Sequence, residues 1–274
     1  MTTSSSDLLV KVLGFSALLT HGDTLVLDRW RWLCRRLPKT ANGETLIDIG
    51  CGNGAFATGA SLRGYAALGL TWSEEDRAKA IRRSKLCGAP STTFELCDVR
   101  RLADRSDLIG TMDVAICMEN IEHVLDDFKL LCDIAQVLKP GGRLLLTTPY
   151  LMYRPITSDE RGPFSTSETG WHVRRGYTPA MLFELCGSAG LVCENISFCS
   201  GLLSQKVTRV WRSLTSRSQV LAWALVFPLR PLIPVIDGIV SSLLSWPKYC
   251  ICLEAYKPRR PSYPDTSADR ALVP

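Results

Sequence analysis

A chain of 274 residues, 46% of them hydrophobic and 22% charged, can bury a full core, which excludes a fibrous or intrinsically disordered protein. That length suits one large domain or one domain with an appendage. The formal charge of +5 permits attraction to anionic lipid or nucleic acid and is too mild to require either.

The elements are predicted in chain order. Residues 1–43 read as an N-terminal helical cap. The apolar stretch "LLVKVLGFSALL" follows "TTSSS" rather than a basic region, so an amphipathic opening helix is expected instead of a signal peptide. "DRWRWLCRRLPK" interleaves Trp30 and Trp32 with Arg29, Arg31, Arg35 and Arg36. Such a stretch can meet RNA or an anionic membrane, but its commoner form is an amphipathic helix with a solvated charged face.

From residue 44 to 200, strand-like runs alternate with helical ones. "TLIDIG", "AALGLT", "TTFELCD", "MDVAICM" and "GRLLLTTP" read as strands, the last of them after a "KPGG" turn. Helices are expected from Asn53 to about Leu62, across "SEEDRAKAIRRSKL" behind an N-cap at Ser73, and across "DDFKLLCDIAQVL". "YTPAMLFELCGSAG" reads as a further helix, with Thr178 as N-cap and Pro179 in its first turn. "LVCENISF" and "YCICLEAY" complete seven strands. The pattern implies an α/β fold: parallel βαβ units wound into a doubly wound, seven-stranded sheet with helices on both faces.

Residues 151–176 are irregular, and a loop this long within a domain is usually functional. Residues 201–247 are expected to form an apolar helical lid or interfacial insertion, 248–258 the last core strand, and 259–274 a disordered tail. "VLAWALVFPLRPLIPVIDGIVSSLLSW" is broken by Pro228, Pro231 and Pro234 and carries Arg230 and Asp237. It therefore falls short of the roughly 20 uninterrupted apolar residues of a transmembrane helix. Eleven cysteines without paired metal spacing read as free thiols of a reducing, cytoplasmic compartment.

Two stretches carry the chemistry. In "LIDIGCGNGAF", Asp48 ends a strand and Gly50, Gly52 and Gly54 turn into a helix. That arrangement lets backbone amides approach a carboxylate or phosphate. Gly50-x-Gly52-x-x-Ala55 also satisfies the loose dinucleotide fingerprint, so an NAD-linked dehydrogenase stays open on this motif alone. In "CMENIEHV", Glu119, Glu122 and His123 follow the fourth strand. A helix there would put Glu122 and His123 three and four positions beyond Glu119, on one face. Two carboxylates and an imidazole so placed suit Mg²⁺ or a related divalent ion.

"LIDIGCGNG", "GLTWSEED", "FELCDV", "CMENIEHV" and "LKPGGRLLLTTP", in this order, resemble the class I S-adenosylmethionine-dependent methyltransferases over roughly residues 44–200. The resemblance implies a Rossmann-like core that binds S-adenosyl-L-methionine. Asp48 and the Gly50, Cys51, Gly52, Asn53 and Gly54 turn would hold its methionine part, and Asp98 and Val99 its adenine. Met118 would lie near the methyl group, and Thr71 stands where an acid usually holds the ribose. Trp72 has two readings, beside the adenine or as a core or hinge residue.

The "GLTWS" form is similar to that of cyclopropane-fatty-acid synthases and sterol methyltransferases. "CMENIEHV" resembles the ubiquinone-pathway catechol O-methyltransferases. A similar Glu-x-x-Glu-His marks small-RNA 2′-O-methyltransferases, which add a later histidine. By that resemblance Glu119, Glu122, His123 and His172 hold a divalent cation and a vicinal diol. Alternatively, His123 is a direct base with Glu119 and His172 beside it, or the cluster is structural. The expected acceptor is a small hydrophobic molecule, with peripheral membrane contact and without nucleic acid. A C-methyltransferase acting on a lipid or isoprenoid, or a catalytically silent cofactor-binding subunit, are the alternatives. The sequence leaves the oligomeric state open.

Overall fold

Each of the seven apolar runs forms a strand of one sheet in the computed structural model, which describes residues 5–20, 24–230 and 232–259. The chain opens with helices α1 (Ser5–Leu13), α2 (Phe15–Thr20) and α3 (Leu25–Cys34). It continues through β1 (Thr45–Ile49), α4 (Ala55–Ser61), β2 (Ala66–Thr71), α5 (Glu74–Leu86), β3 (Thr92–Leu96), β4 (Met112–Met118), α6 (Asp127–Val137) and β5 (Leu138–Pro149). Then follow α7 (Pro179–Ser188), β6 (Val192–Cys199), α8 (Leu202–Thr215), α9 (Gln219–Val226), α10 (Ile233–Leu243) and β7 (Cys250–Tyr256). The tail expected to be disordered lies outside the described residues from position 260 onward.

The caps explain several helix starts. Ser73 accepts a hydrogen bond from the Asp76 amide, Asp126 from Lys129 and Thr178 from Met181. The first core helix begins two residues later than expected, at Ala55, because Gly50, Gly52 and Gly54 all take positive φ and cannot be helical.

Strand order is β3-β2-β1-β4-β5-β7-β6. The central strands bury both faces and read as near-continuous apolar runs, as a covered parallel sheet requires. One core cluster, containing Ile47, Leu144 and Ile134, fills one face; another, containing Leu46, Leu145 and Leu25, fills the other. The parallel units span β1 to β5, as expected, and β7 runs antiparallel to both β5 and β6. Strand β7 follows β6 through the α8–α10 insertion and returns between β5 and β6, and an antiparallel partner needs no right-handed crossover. The "KPGG" stretch is also not a free turn. Pairing passes from Met112–Leu138 directly to Val114–Arg143, so Lys139 to Gly142 bulge out of the β4–β5 ladder.

Topology fixes where a ligand can sit. The chain winds outward from β1 to β3, then returns to place β4 on the other side of β1. The crevice above the carboxyl ends of β1 and β4 is the switch point of the sheet. The glycine turn follows β1 and the Glu119 segment follows β4, so both motifs meet there.

Candidate active site

Gly50 and Asn120 pack against each other across this crevice. Gly50 has φ +74°, and a Cβ on it would lie 2.5 Å from Asn120 Cγ, so only glycine fits. Beneath the turn, Asp48 is 1% exposed and accepts the Ala57 amide at 3.1 Å. Burial pushes its carboxyl up to about 7. Asp48 thus braces the turn from below and ties β1 to the start of α4.

A cleft of about 210 Å³ opens above the turn, lined in part by Gly50, Trp72, Asp98, Val99, Glu119 and His123. Trp72 is 61% exposed on its wall, which removes the core reading of that residue. Thr71, by contrast, is 2% exposed, takes the Ser73 amide on its Oγ1 at 3.3 Å, and does not line the cleft. Asp98 does, and Arg100 grips its carboxylate at 2.8 and 2.9 Å, holding it below the usual carboxylate range. Met118, Cys51 and Asn53 are not among the lining residues; Met118 and Cys51 are buried in the core.

Sequence reasoning did not single out Arg100 and Glu168 as site residues. Glu168 comes from the long loop, accepts Arg100 at 2.8 Å through Oε2 and takes the Leu125 amide at 2.6 Å through Oε1. With Gly170 it forms one wall of the cleft. An acid in a loop of turn formers carries no periodic signal, so nothing in the sequence marked it.

The residues after Met118 do not form the continuous helix that would put Glu119, Glu122 and His123 on one face. Glu119 takes φ +53°, and only Ile121–His123 make a single 3-10 turn. Glu119 consequently swings away from its neighbours and forms an ion pair with Arg29 of α3 at 2.9 Å, both side chains largely buried. This also corrects the reading of Arg29 as part of a solvated face. Arg36 is likewise paired, to Glu254 at 2.7 Å, whereas Arg35 stays exposed.

What the turn brings together is Glu122, His123 and His172, whose ligand atoms all lie within 4.8 Å of one another. Glu119 is not part of this group. The two imidazoles meet edge to face, with centroids 4.6 Å apart. Glu122 is fully buried, and its Oε2 accepts the Thr148 hydroxyl at 3.0 Å. Its Oε1 has no hydrogen-bond partner and lies 4.0 Å from His123 Nε2. Burial, with Glu119 nearby, pushes the Glu122 carboxyl up to about 8, and burial lowers His123. On the far side of His172 lies a larger cavity of about 630 Å³, lined among others by Phe164, Ser165, Trp171, Arg212 and Tyr249.

The family model described as a methyltransferase domain matches residues 26–184, more than half of the chain. The chain belongs to the S-adenosylmethionine-dependent methyltransferases. A ubiquinone biosynthesis O-methyltransferase of Thiobacillus denitrificans is 32% identical to this methyltransferase over 194 residues, 67% of this chain and 78% of that one. One of Marinobacter nauticus is 32% identical over 109 residues, 39% of this chain, and the match spans 44% of that relative. Among solved structures, the geranyl diphosphate C-methyltransferase of Streptomyces coelicolor shares the fold with a TM-score of 0.55 at 18% identity, over 83% of this chain and 74% of that one. The methyltransferase therefore uses S-adenosyl-L-methionine as cofactor, and the fold alone does not choose between oxygen and carbon as acceptor.

Proposed function

We propose that the methyltransferase methylates a hydroxyl of a small hydrophobic acceptor, a vicinal diol held at a divalent ion by Glu122, His123 and His172. One observation carries this reading. Glu122 Oε1 is buried without a hydrogen-bond partner, 4.0 Å from His123 Nε2, and Glu122, His123 and His172 offer ligand atoms within 4.8 Å of one another. An orphaned carboxylate oxygen is costly in an apolar interior, and a cation satisfies it. Two imidazoles with one carboxylate suit a transition ion such as Mn²⁺, Fe²⁺ or Zn²⁺ better than Mg²⁺, which prefers oxygen ligands. A bound ion of this kind lowers the pKa of a coordinated hydroxyl.

The sulfonium methyl of the donor is already activated, so the protein mainly positions and encloses. In this reading the Gly50 to Gly54 amides receive the methionine carboxylate. Asp98, Val99 and Trp72 flank the adenine, with Arg100 fixing the Asp98 side chain. Thr71, buried and bonded to its own turn, makes no ribose contact. Glu119, held by Arg29, sits at the cleft wall and puts negative charge toward the sulfonium. The acceptor occupies the cavity beside His172, where Phe164, Trp171 and Tyr249 supply apolar surface. The helices before β1 act as a cap, and α8 to α10 as a lid over that cavity. An acceptor of this kind partitions into lipid, so the reading includes peripheral contact with a membrane.

The test is transfer of labelled methyl from S-adenosylmethionine to hydrophobic catechols, before and after exhaustive chelation, with metal content measured in parallel. About one divalent ion per chain and chelator-sensitive O-methylation are expected. Undiminished turnover without the ion eliminates the metal and leaves His123 as the direct base. A carbon-methylated product, read by NMR, replaces the reading with C-methylation.

A further inference from the structure

Helix α10 is built inside out. Its buried stripe is Ile233, Asp237 and Ser241, while Leu232, Val235, Ile236, Ile239 and Leu243 at its outer face are exposed. The outward residues fall at i, i+3, i+4, i+7 and i+11, which is one stripe of a helix; Ile239 is 64% exposed and Leu243 79%. An ordinary surface helix puts that stripe on the core and its acid in water. Here the acid locks the reverse orientation. Asp237 accepts the amides of Gly201 and Leu203 at 2.6 and 2.7 Å and the hydroxyls of Ser204 and Ser241 at 3.0 and 3.2 Å. Leu221, Leu225 and Leu229, on α9 and the turn after it, are exposed as well. Single exposed apolar residues are unremarkable on a protein surface, but a stripe of this extent marks a contact.

The charge around α10 says what it contacts. Residues 201–248 carry Lys206, Arg209, Arg212, Arg217, Arg230 and Lys248 against the single acid Asp237, a net +5 that equals the formal charge of the entire chain. Trp246 lies between Arg154 and Lys206, 4.1 and 5.0 Å from its ring centre, a cation–aromatic grouping typical of a membrane interface. Beside α10 opens a cleft of about 210 Å³, lined by Pro234 and Gly238 of that helix and by Arg31, Arg35 and Lys248. These three cations make no ion pair with a described carboxylate. The two acids of the cleft, Asp28 and Asp237, are buried in its floor.

We propose that the outer face of α10, with the Arg31, Arg35 and Lys248 cleft beside it, docks this enzyme on an anionic lipid surface. The apolar stripe enters the headgroup–acyl boundary and the cations meet headgroup phosphates. The helix lies in the plane of the membrane, since no described helix is long and apolar enough to cross it. A second copy of the chain is a poor occupant, because it would bring one basic surface against another. Helix α8 packs on α10 and contributes Arg212 to the cavity beside His172, so docking brings that cavity to the lipid. This specifies the membrane contact invoked above and rests on that part of the reading, not on the metal or the acceptor.

Co-sedimentation of the full chain with vesicles tests it without acceptor, metal or turnover, so failure here and failure of the methyl-transfer reading are told apart. Binding is expected to vesicles of phosphatidylglycerol and phosphatidylcholine, weaker at high salt, and not to phosphatidylcholine alone. Val235→Glu with Ile239→Glu, at exposed positions, abolishes it. Neutralising Arg31, Arg35 and Lys248 to Gln weakens it about a hundredfold, or about fivefold per charge. Calorimetry with S-adenosylhomocysteine verifies that each variant is folded. No co-sedimentation, or equal binding to neutral vesicles, overturns the proposal. Self-association by light scattering that the Val235/Ile239 variant dissolves, without vesicle binding, assigns the face to a second copy instead.

Discussion

Arg29 and Glu119 meet at 2.9 Å with side chains 11% and 15% exposed, so that α3 lays a guanidinium against the carboxyl end of β4. The left-handed turn at Glu119, φ +53°, is what aims its carboxylate at α3 rather than at His123. A largely buried charge left alone is penalised by its own desolvation. Arg29→Ala should therefore destabilise the fold by about 3 kcal/mol in urea titration. Arg29→Ala combined with Glu119→Gln should recover more than half of that, because the second change removes the stranded charge. Additive losses would mean that the two side chains are independent.

Thr148 gives the metal reading a handle that leaves the ligands themselves intact. Its hydroxyl donates to Glu122 Oε2 at 3.0 Å and so orients the orphaned Oε1, which lies 4.0 Å from His123 Nε2. Partners that orient a ligand typically contribute tenfold to a hundredfold to metal affinity. Thr148→Val, similar in volume but unable to donate, should weaken binding of the divalent ion by about that factor in a competition titration with a chromogenic chelator. Donor binding should stay at the wild-type level. Unchanged metal affinity would show that the Thr148 hydroxyl serves the buried carboxyl rather than an ion.

The centre of the sheet is visible in the sequence because strands such as β1 and β4 are apolar runs bounded by turn formers, and burial on both faces leaves nothing to alternate. The glycine turn is equally visible, since three glycines and an acid in seven residues exceed what a simple turn needs. Other features depend on long-range packing and leave no local trace. Glu119 has a helix-compatible neighbourhood, and only its pairing with a residue 90 positions earlier draws it out of line. The direction of β7 is set by where the α8–α10 insertion returns the chain. Helix α10 presents the usual amphipathic spacing, and periodicity alone cannot say which stripe is the inner one. The four hydrogen bonds to Asp237 decide it.

Gly50→Ala tests the turn as the donor site. A non-glycine residue at φ +74° is strained by about 1–2 kcal/mol, and the new Cβ would fall 2.5 Å from Asn120 Cγ. Asn120 must move, and the cleft wall moves with it. Calorimetry should show S-adenosylhomocysteine affinity reduced by at least about tenfold, the equivalent of 1.4 kcal/mol. Gly52→Ala has a positive φ as well but no atom within 4 Å of the added carbon. It should cost less, and equal losses would mean that strain rather than the Asn120 contact sets the affinity.

Arg100 joins two parts of the site that belong to different segments, holding Asp98 of the cleft wall and Glu168 of the long loop at 2.8 Å. Its side chain is 39% exposed, and a partly solvated pair contributes little to global stability. Arg100→Ala should then leave the urea midpoint nearly unchanged while freeing the 151–176 loop. Two consequences follow from a loop that no longer closes: water reaches the cleft, and the donor loses a wall. The expected result is a raised KM for S-adenosylmethionine together with faster proteolytic cleavage between residues 151 and 176. Glu168→Gln should reproduce the proteolysis more weakly, because the Leu125 amide can still bond the remaining carbonyl oxygen. A large drop in stability with unchanged KM would instead make Arg100 a structural brace with no part in closing the site.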